Sequence, residues 1–224
     1  MPDTRGHLLP VYVLADESAS MTDYANELNH GLISLCEALR SEPMIASKVR
    51  LTVLGFSSDV AVRMALVDLR NQESLPELKI RSTTNYQAAF QDLLTRIPKD
   101  IASLKGGGYL VHRPAVFFLS DGQPNSDNWH KPHQVLTDKS ATPAAPNIIA
   151  CGVGSVLPDT ILQVATKQEF AFVSVPGADI GRAIAKFFTA LTASIVQSGR
   201  SLTSGSPELI VEKPEGFRMA IDVV

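Results

Sequence analysis

Pro10-Val-Tyr-Val-Leu-Ala-Asp-Glu-Ser-Ala-Ser20 is the stretch on which the reading of this chain turns. The run from Pro10 to Ala15 is apolar without alternation and stops at Asp16, which predicts a short strand buried on both faces. Asp16, Ser18 and Ser20 then stand at alternate positions, so that all three can point into one loop at the strand's carboxyl end. A carboxylate and two hydroxyls are hard oxygen donors, suited to Mg²⁺, Ca²⁺ or Mn²⁺ and poorly suited to zinc or copper. Taken alone, the triplet reads equally well as a turn and helix-capping loop, because Asp and Ser cap helices readily.

Outward from this stretch, Tyr24, Leu28, Leu32, Leu35 and Leu39 recur at spacings of three and four and mark one face of a helix from about 23 to 40. Val49 to Phe56 predicts a second strand. Val60 to Val67 follows the polar link Ser57-Ser58-Asp59 closely enough to be its antiparallel partner at the sheet edge. Tyr86, Ala89, Phe90, Leu93, Leu94 and Ile97 trace another helical stripe, which ends near Gly106-Gly107-Gly108. Ala115 to Leu119, Asn147 to Val153 and Phe170 to Val175 predict three more strands. A closing helix carries Ile180, Ile184, Phe187, Phe188, Leu191 and Ile195. Strands alternating with helices imply an α/β fold: a three-layer, Rossmann-like doubly wound sheet, mostly parallel, with one antiparallel edge strand.

The expected domain covers residues 1–198. Gly199 to Pro207 is rich in Ser and Gly and reads as a linker into a β-prone tail, 199–224. Leu209 to Glu212 and Phe217 to Val223 are candidate strands in that tail, and the sequence leaves open where they pack.

Composition narrows the function. Of 224 residues, 45% are hydrophobic and 19% charged, as in ordinary globular proteins. The net charge of -3 leaves no excess of Lys and Arg to neutralise a phosphate backbone, so nucleic acid is not an expected partner. Met1 to Leu9 lacks the apolar run of a signal peptide, and nowhere do ~18 apolar residues follow one another, so neither secretion nor a membrane span is expected. Two cysteines, Cys36 and Cys151, build no disulfide framework. The expected compartment is the cytoplasm.

A second acid, Asp121 in Ser120-Asp-Gly122, closes the strand from Ala115 to Leu119. Ligands of open α/β sheets collect at the carboxyl ends of strands, so the two acids meet there if the strands are neighbours. Thr84, in Ser-Thr-Thr-Asn85, would add a hydroxyl from the loop that opens the Tyr86 helix. Mg²⁺ keeps several waters and takes few carboxylates, so this donor set leaves one position for an outside group.

Asp16-x-Ser18-x-Ser20, Thr84 and Asp121-Gly122, in that order and strand context, resemble the metal-ion-dependent adhesion site (MIDAS) of von Willebrand factor A (VWA) domains over residues 8–198. Leu9-Pro-Val-Tyr-Val-Leu14, Asn29-His-Gly-Leu-Ile33 and Leu39-Arg-Ser-Glu-Pro43 resemble, more narrowly, the bacterial TerY type linked to tellurite-resistance and stress gene clusters. The resemblance implies that Ser18, Ser20 and Thr84 contact a divalent cation directly or through water, and that Asp16 and Asp121 act mostly through water. It implies Mg²⁺ first, with Mn²⁺ or Ca²⁺ as substitutes. It further implies a protein partner whose Asp or Glu completes the shell, drawn from a stress-response phosphorylation system containing a kinase and a phosphatase. Glu17 and Ala19 replace the family's commoner Thr and Gly, and Ser82-Thr83 stand where Gly-Gly is frequent, which leaves Thr83 as a rival to Thr84.

Met21 on one side, and Asn125, Asp127 and Trp129 on the other, are expected to rim the same surface as partner contacts, with packing of Trp129 beneath its loop as the alternative. His130 and His133 lack two further soft ligands for zinc. Gly106-Gly-Gly108 lacks the Lys-Ser/Thr of a P-loop, and Gly154-Ser155 lacks the pattern of a hydrolase elbow. The expected function is therefore a non-enzymatic, metal-dependent protein-binding module. Its rivals are a Mg²⁺-dependent hydrolase or phosphoryl-transfer enzyme and a scaffold whose metal only fixes loops.

Overall fold

The computed structural model describes residues 5–204 and 207–222. Its strands are β1 (His7–Asp16), β2 (Val49–Phe56), β3 (Val60–Val67), β4 (Leu110–Val111), β5 (Ala115–Ser120), β6 (Asn147–Gly152), β7 (Ala171–Ser174) and β8 (Phe217–Met219). Its α-helices are α1 (Ala25–Arg40), α2 (Pro43–Ala46), α3 (Tyr86–Gly106), α4 (His130–Thr137), α5 (Pro158–Val164) and α6 (Ile180–Thr203). One sheet runs in the order β3-β2-β1-β5-β6-β7-β8, with the short β4 beside the start of β1. The pairs β2–β1, β1–β5, β5–β6 and β6–β7 are parallel, and β3 is antiparallel on β2, as the hairpin-like spacing predicts.

The unbroken apolar run of β1 now has its cause. Val11, Val13 and Ala15 belong to a core shared with α1 and α6 on one face of the sheet. Tyr12 and Leu14 belong to a second core with α3, α4 and α5 on the other. Successive side chains of a strand point to opposite faces, so a central strand covered on both sides must be apolar at every position. β1 and β5 lie at the point where strand order reverses. The helix that follows β1, α1, packs on one face and the helix that follows β5, α4, on the other, which opens a crevice at their carboxyl ends.

The carboxyl-terminal part differs from expectation. α6 runs through the expected boundary at 198/199 to Thr203, because Gly199 is buried against Ile45, where a β-carbon would come within 2.6 Å of its side chain. The segment after it is not a free tail. Ser198 Oγ accepts from Ile210 N–H at 2.9 Å, and Leu209 and Val211 pack on the α1/α6 core in irregular backbone that pairs with no described strand. β8 adds a second antiparallel edge, on β7. Residues 205–206 of the expected linker, Val223 of the expected last strand, and Met1 to Thr4 lie outside the described residues. No helix among the described residues is long and apolar enough to cross a membrane.

Candidate metal centre

Asp16 ends β1 with its side chain fully buried. Its Oδ1 accepts from Ser18 N–H at 2.8 Å, and its Oδ2 accepts from Ser120 Oγ at 2.6 Å. This second bond crosses from β1 to the neighbouring β5, and it follows from the parallel register that pairs Ala15 with Leu119. Ser18 Oγ lies 3.0 Å from Ser20 Oγ, and Ser20 Oγ donates to Asp121 Oδ1 at 2.7 Å. Side-chain oxygens of Ser18, Ser20 and Asp121, the last 101 residues beyond Ser20, thus form one continuous chain, and Asp16 joins it through the Ser18 N–H. Ser18 is buried and Ser20 is exposed, so the chain runs from the sheet interior to its rim.

Thr84 completes the arrangement. Its Oγ1 lies 3.4 Å from the place a β-carbon would take on Gly122, immediately after Asp121. Thr84 N–H donates to Asn125 Oδ1 at 3.1 Å, and Asn125 N–H donates back to Thr84 carbonyl oxygen at 3.0 Å, which ties this loop to the one after β5. Thr83 is exposed, and its backbone N–H, like that of Ser82, donates to the buried Ser57 Oγ. Between the two threonines, the one beside Asp121 is Thr84. Tyr86, the first residue of α3, donates from its hydroxyl to Gly122 carbonyl oxygen at 2.9 Å and braces the turn after Asp121.

The electrostatics are those of a site short of positive charge. Burial is the first cause raising Asp16, to a pKa of about 6, against the lowering effect of its Ser120 and Ser18 hydrogen bonds; the nearby Asp121 raises it further. Burial likewise raises Asp121 above the usual carboxylate range, against the hydrogen bond from Ser20. Among the described residues no group of three or more His, Cys, Asp or Glu is placed to hold a metal ion. What converges here is two carboxylates and three hydroxyls, an all-oxygen set that fits a hard cation.

No family model and no curated relative matches the chain. Proximal thread matrix protein 1 of the mussel byssus, solved "with zinc occupied MIDAS motif", superposes with a TM-score of 0.59 at 13% identity, over 86% of this chain and 48% of that one. The pilus adhesin SpaC of Lactobacillus rhamnosus GG gives 0.64 at 11%, over 87% and 30%. A von Willebrand factor type A structure from Catenulispora acidiphila gives 0.53 at 12%, over 85% and 43%. The fold is that of a VWA domain. The chain spans less than half the length of each of these structures, and at such identity the likeness speaks for the VWA fold alone.

Two of the expected rim residues are not on the surface. Met21 is fully buried, turned into the α1/α6 core by the 3₁₀ turn Ala19–Tyr24. Trp129 is 2% exposed, with its ring 5.8 Å from Tyr86 and 5.6 Å from Phe90. Both follow from the size of their apolar surfaces, for which burial is worth roughly 25 cal/mol per Å². Asn125 and Asp127 are exposed; Asn125 bonds Thr84, whereas nothing draws Asp127 into the site.

Sequence reasoning missed the supporting residues. Ser120 and Ser57 are buried hydroxyls that organise the acid and the threonine loop, and their only signal was position directly after a strand core. Glu17 read as an added loop charge. It is instead buried: Arg63 Nε and Nη2 each donate to it at 2.8 Å, Arg81 Nε at 2.9 Å and Lys79 N–H at 2.8 Å.

Proposed function

We propose that this VWA-fold domain is a metal-dependent protein-binding module. In this reading Ser18, Ser20 and Thr84 hold a divalent cation through their hydroxyls, directly or through water, and Asp16 and Asp121 act mostly through water. Mg²⁺ is the proposed ion, with Mn²⁺ or Ca²⁺ able to replace it. The observation that carries the reading is the Ser18–Ser20–Asp121 oxygen chain with Thr84 at Gly122, and with it two buried carboxylates, Asp16 and Asp121, that no Lys or Arg among the described residues neutralises. A bound cation would supply the missing positive charge and an electrophilic position for an incoming Asp or Glu. Exposed Ser20 puts that position at the rim, where a partner can reach it. The zinc-occupied MIDAS of the byssal protein supports a divalent ion in such a site.

A binding role, rather than hydrolysis or phosphoryl transfer, is supported by the commitment of the nearby arginines. Arg63 and Arg81 are engaged by Glu17 instead of facing the rim as a phosphate clamp would. The narrower resemblance to the TerY type extends the proposal to a cytoplasmic stress-response system, with its kinase or phosphatase as the partner. The test is capture of that partner, and Mg²⁺ uptake by titration calorimetry, with wild type and with Ser18→Ala/Ser20→Ala. Binding that needs Mg²⁺ and vanishes in the double variant is expected. Partner capture undiminished in EDTA would refute the role of the cation. Phosphatase turnover with Mg²⁺ that Asp121→Ala abolishes would favour the enzyme.

A further inference from the structure

Glu17 stands between two proposed ligands, Asp16 and Ser18, and its side chain is wholly withdrawn from water. It lies flat on the backbone of β2: a β-carbon at Gly55 would come within 2.0 Å of Glu17 Cδ, so only glycine leaves room for the carboxylate. A charge at that depth is tolerated only where it is paired and hydrogen-bonded. Its two guanidinium partners come from different places. Arg63 sits on β3, the edge strand, which carries no proposed ligand. Arg81 sits three residues before Thr84, and its guanidinium also donates to the carbonyl oxygens of Gly55 at 2.9 Å and Asp59 at 3.0 Å.

The backbone repeats the connection. Arg81 N–H donates to Glu17 carbonyl oxygen, and Ala19 N–H donates to Ser82 carbonyl oxygen at 3.1 Å. The loop with Asp16, Ser18 and Ser20 is thus stitched to the segment that leads into Thr84, and the Glu17–Arg81 pair is the charged stitch. We propose that Glu17 is a positioning residue for the cation site: through Arg81 its buried carboxylate sets the spacing between the 16–20 loop and Thr84, and with it the affinity for the ion. The inference rests on the cation site proposed above.

A merely stabilising role makes a different prediction. Arg63 supplies two of the bonds to Glu17 and Arg81 one, so if the arginines serve only to balance Glu17, loss of either should then affect Mn²⁺ affinity alike. The experiment is Mn²⁺ titration calorimetry on the full chain with Arg81→Met and Arg63→Met, beside denaturation of each variant in EDTA. Titrations are made at a temperature where the EDTA form is folded. Arg81→Met is expected to weaken Mn²⁺ binding about tenfold or more, the usual cost of removing a group that orients a ligand. Arg63→Met is expected to lower the denaturation midpoint while leaving Mn²⁺ affinity within about threefold of wild type. Should Arg81→Met not fold in EDTA, Arg81→Lys is read the same way. Equal losses of affinity from the two arginines, or none from either, would overturn the positioning role while the cation site stands. Failure of the wild type to take up Mn²⁺ at millimolar supply would remove the cation site and this inference together.

Discussion

Asp16 and Glu17 are adjacent acids, both buried, in opposite surroundings. Glu17 meets two guanidinium groups and a backbone N–H. Asp16 meets one hydroxyl and one N–H, with a second acid, Asp121, close by. The first is a closed unit, its charge balanced within the chain. The second is open: its donors are neutral, and burial raises its pKa to about 6. The lesson is that a buried carboxylate by itself says little, and that the presence or absence of a counter-charge separates a structural acid from a candidate cation ligand.

The sharpest way to break this contrast is to remove each acid in EDTA. Glu17→Ala strands two arginines in a half-buried place and should cost about 3–5 kcal/mol, read from urea denaturation. Asp16→Asn, which removes an unbalanced charge, should leave the metal-free protein at neutral pH as stable as wild type or more so. Similar large losses from both would erase the distinction.

A smaller effect lies in the pH dependence of the metal-free protein. Asp16 binds its proton more tightly folded than unfolded, its pKa moving from 3.8 to about 6. Its contribution is therefore fully present below about pH 4, declines as pH rises through about 6, and is flat above, for a total of about 3 kcal/mol. Urea midpoints in EDTA across this range should fall more steeply for wild type than for Asp16→Asn, the difference between the two being the Asp16 contribution. Millimolar Mg²⁺ should oppose the fall, because the ion favours the ionised acid.

The smallest effect concerns the third loop. Asn125→Ala removes one hydrogen bond to Thr84 N–H and should cost about 1 kcal/mol of stability in EDTA. A weakening of Mg²⁺ binding by about threefold to tenfold, measured calorimetrically, would mark Asn125 as part of the open site; unchanged affinity would leave Thr84 positioned by its own loop alone.

Much of this was legible in the chain itself. A period of two hidden by burial on both faces, and spacings of three and four in α1, α3 and α6, sufficed for the layered sheet and its antiparallel β3. The short α4 and α5 escaped notice because fewer than three turns carry too little periodicity. The Ser- and Gly-rich stretch after Ser198 read as a linker, since composition cannot report that Gly199 is small in order to pack on Ile45. Nearness in sequence to Ser20 and Asp121 points to a rim position for Met21 and Trp129, but the two bury themselves, Trp129 in the packed alternative beneath its loop.

Residue type and order alone therefore determined the two-faced sheet and a set of hard oxygen donors at the ends of its strands, because hydrophobic periodicity and donor chemistry are properties of short stretches of chain. Which acid is balanced and which is open was decided only by tertiary structure. Arg63, Arg81 and Ser120 reach Asp16 and Glu17 from 46, 64 and 104 residues away, and partnership across such distances is set by strand order and register, which no local pattern encodes.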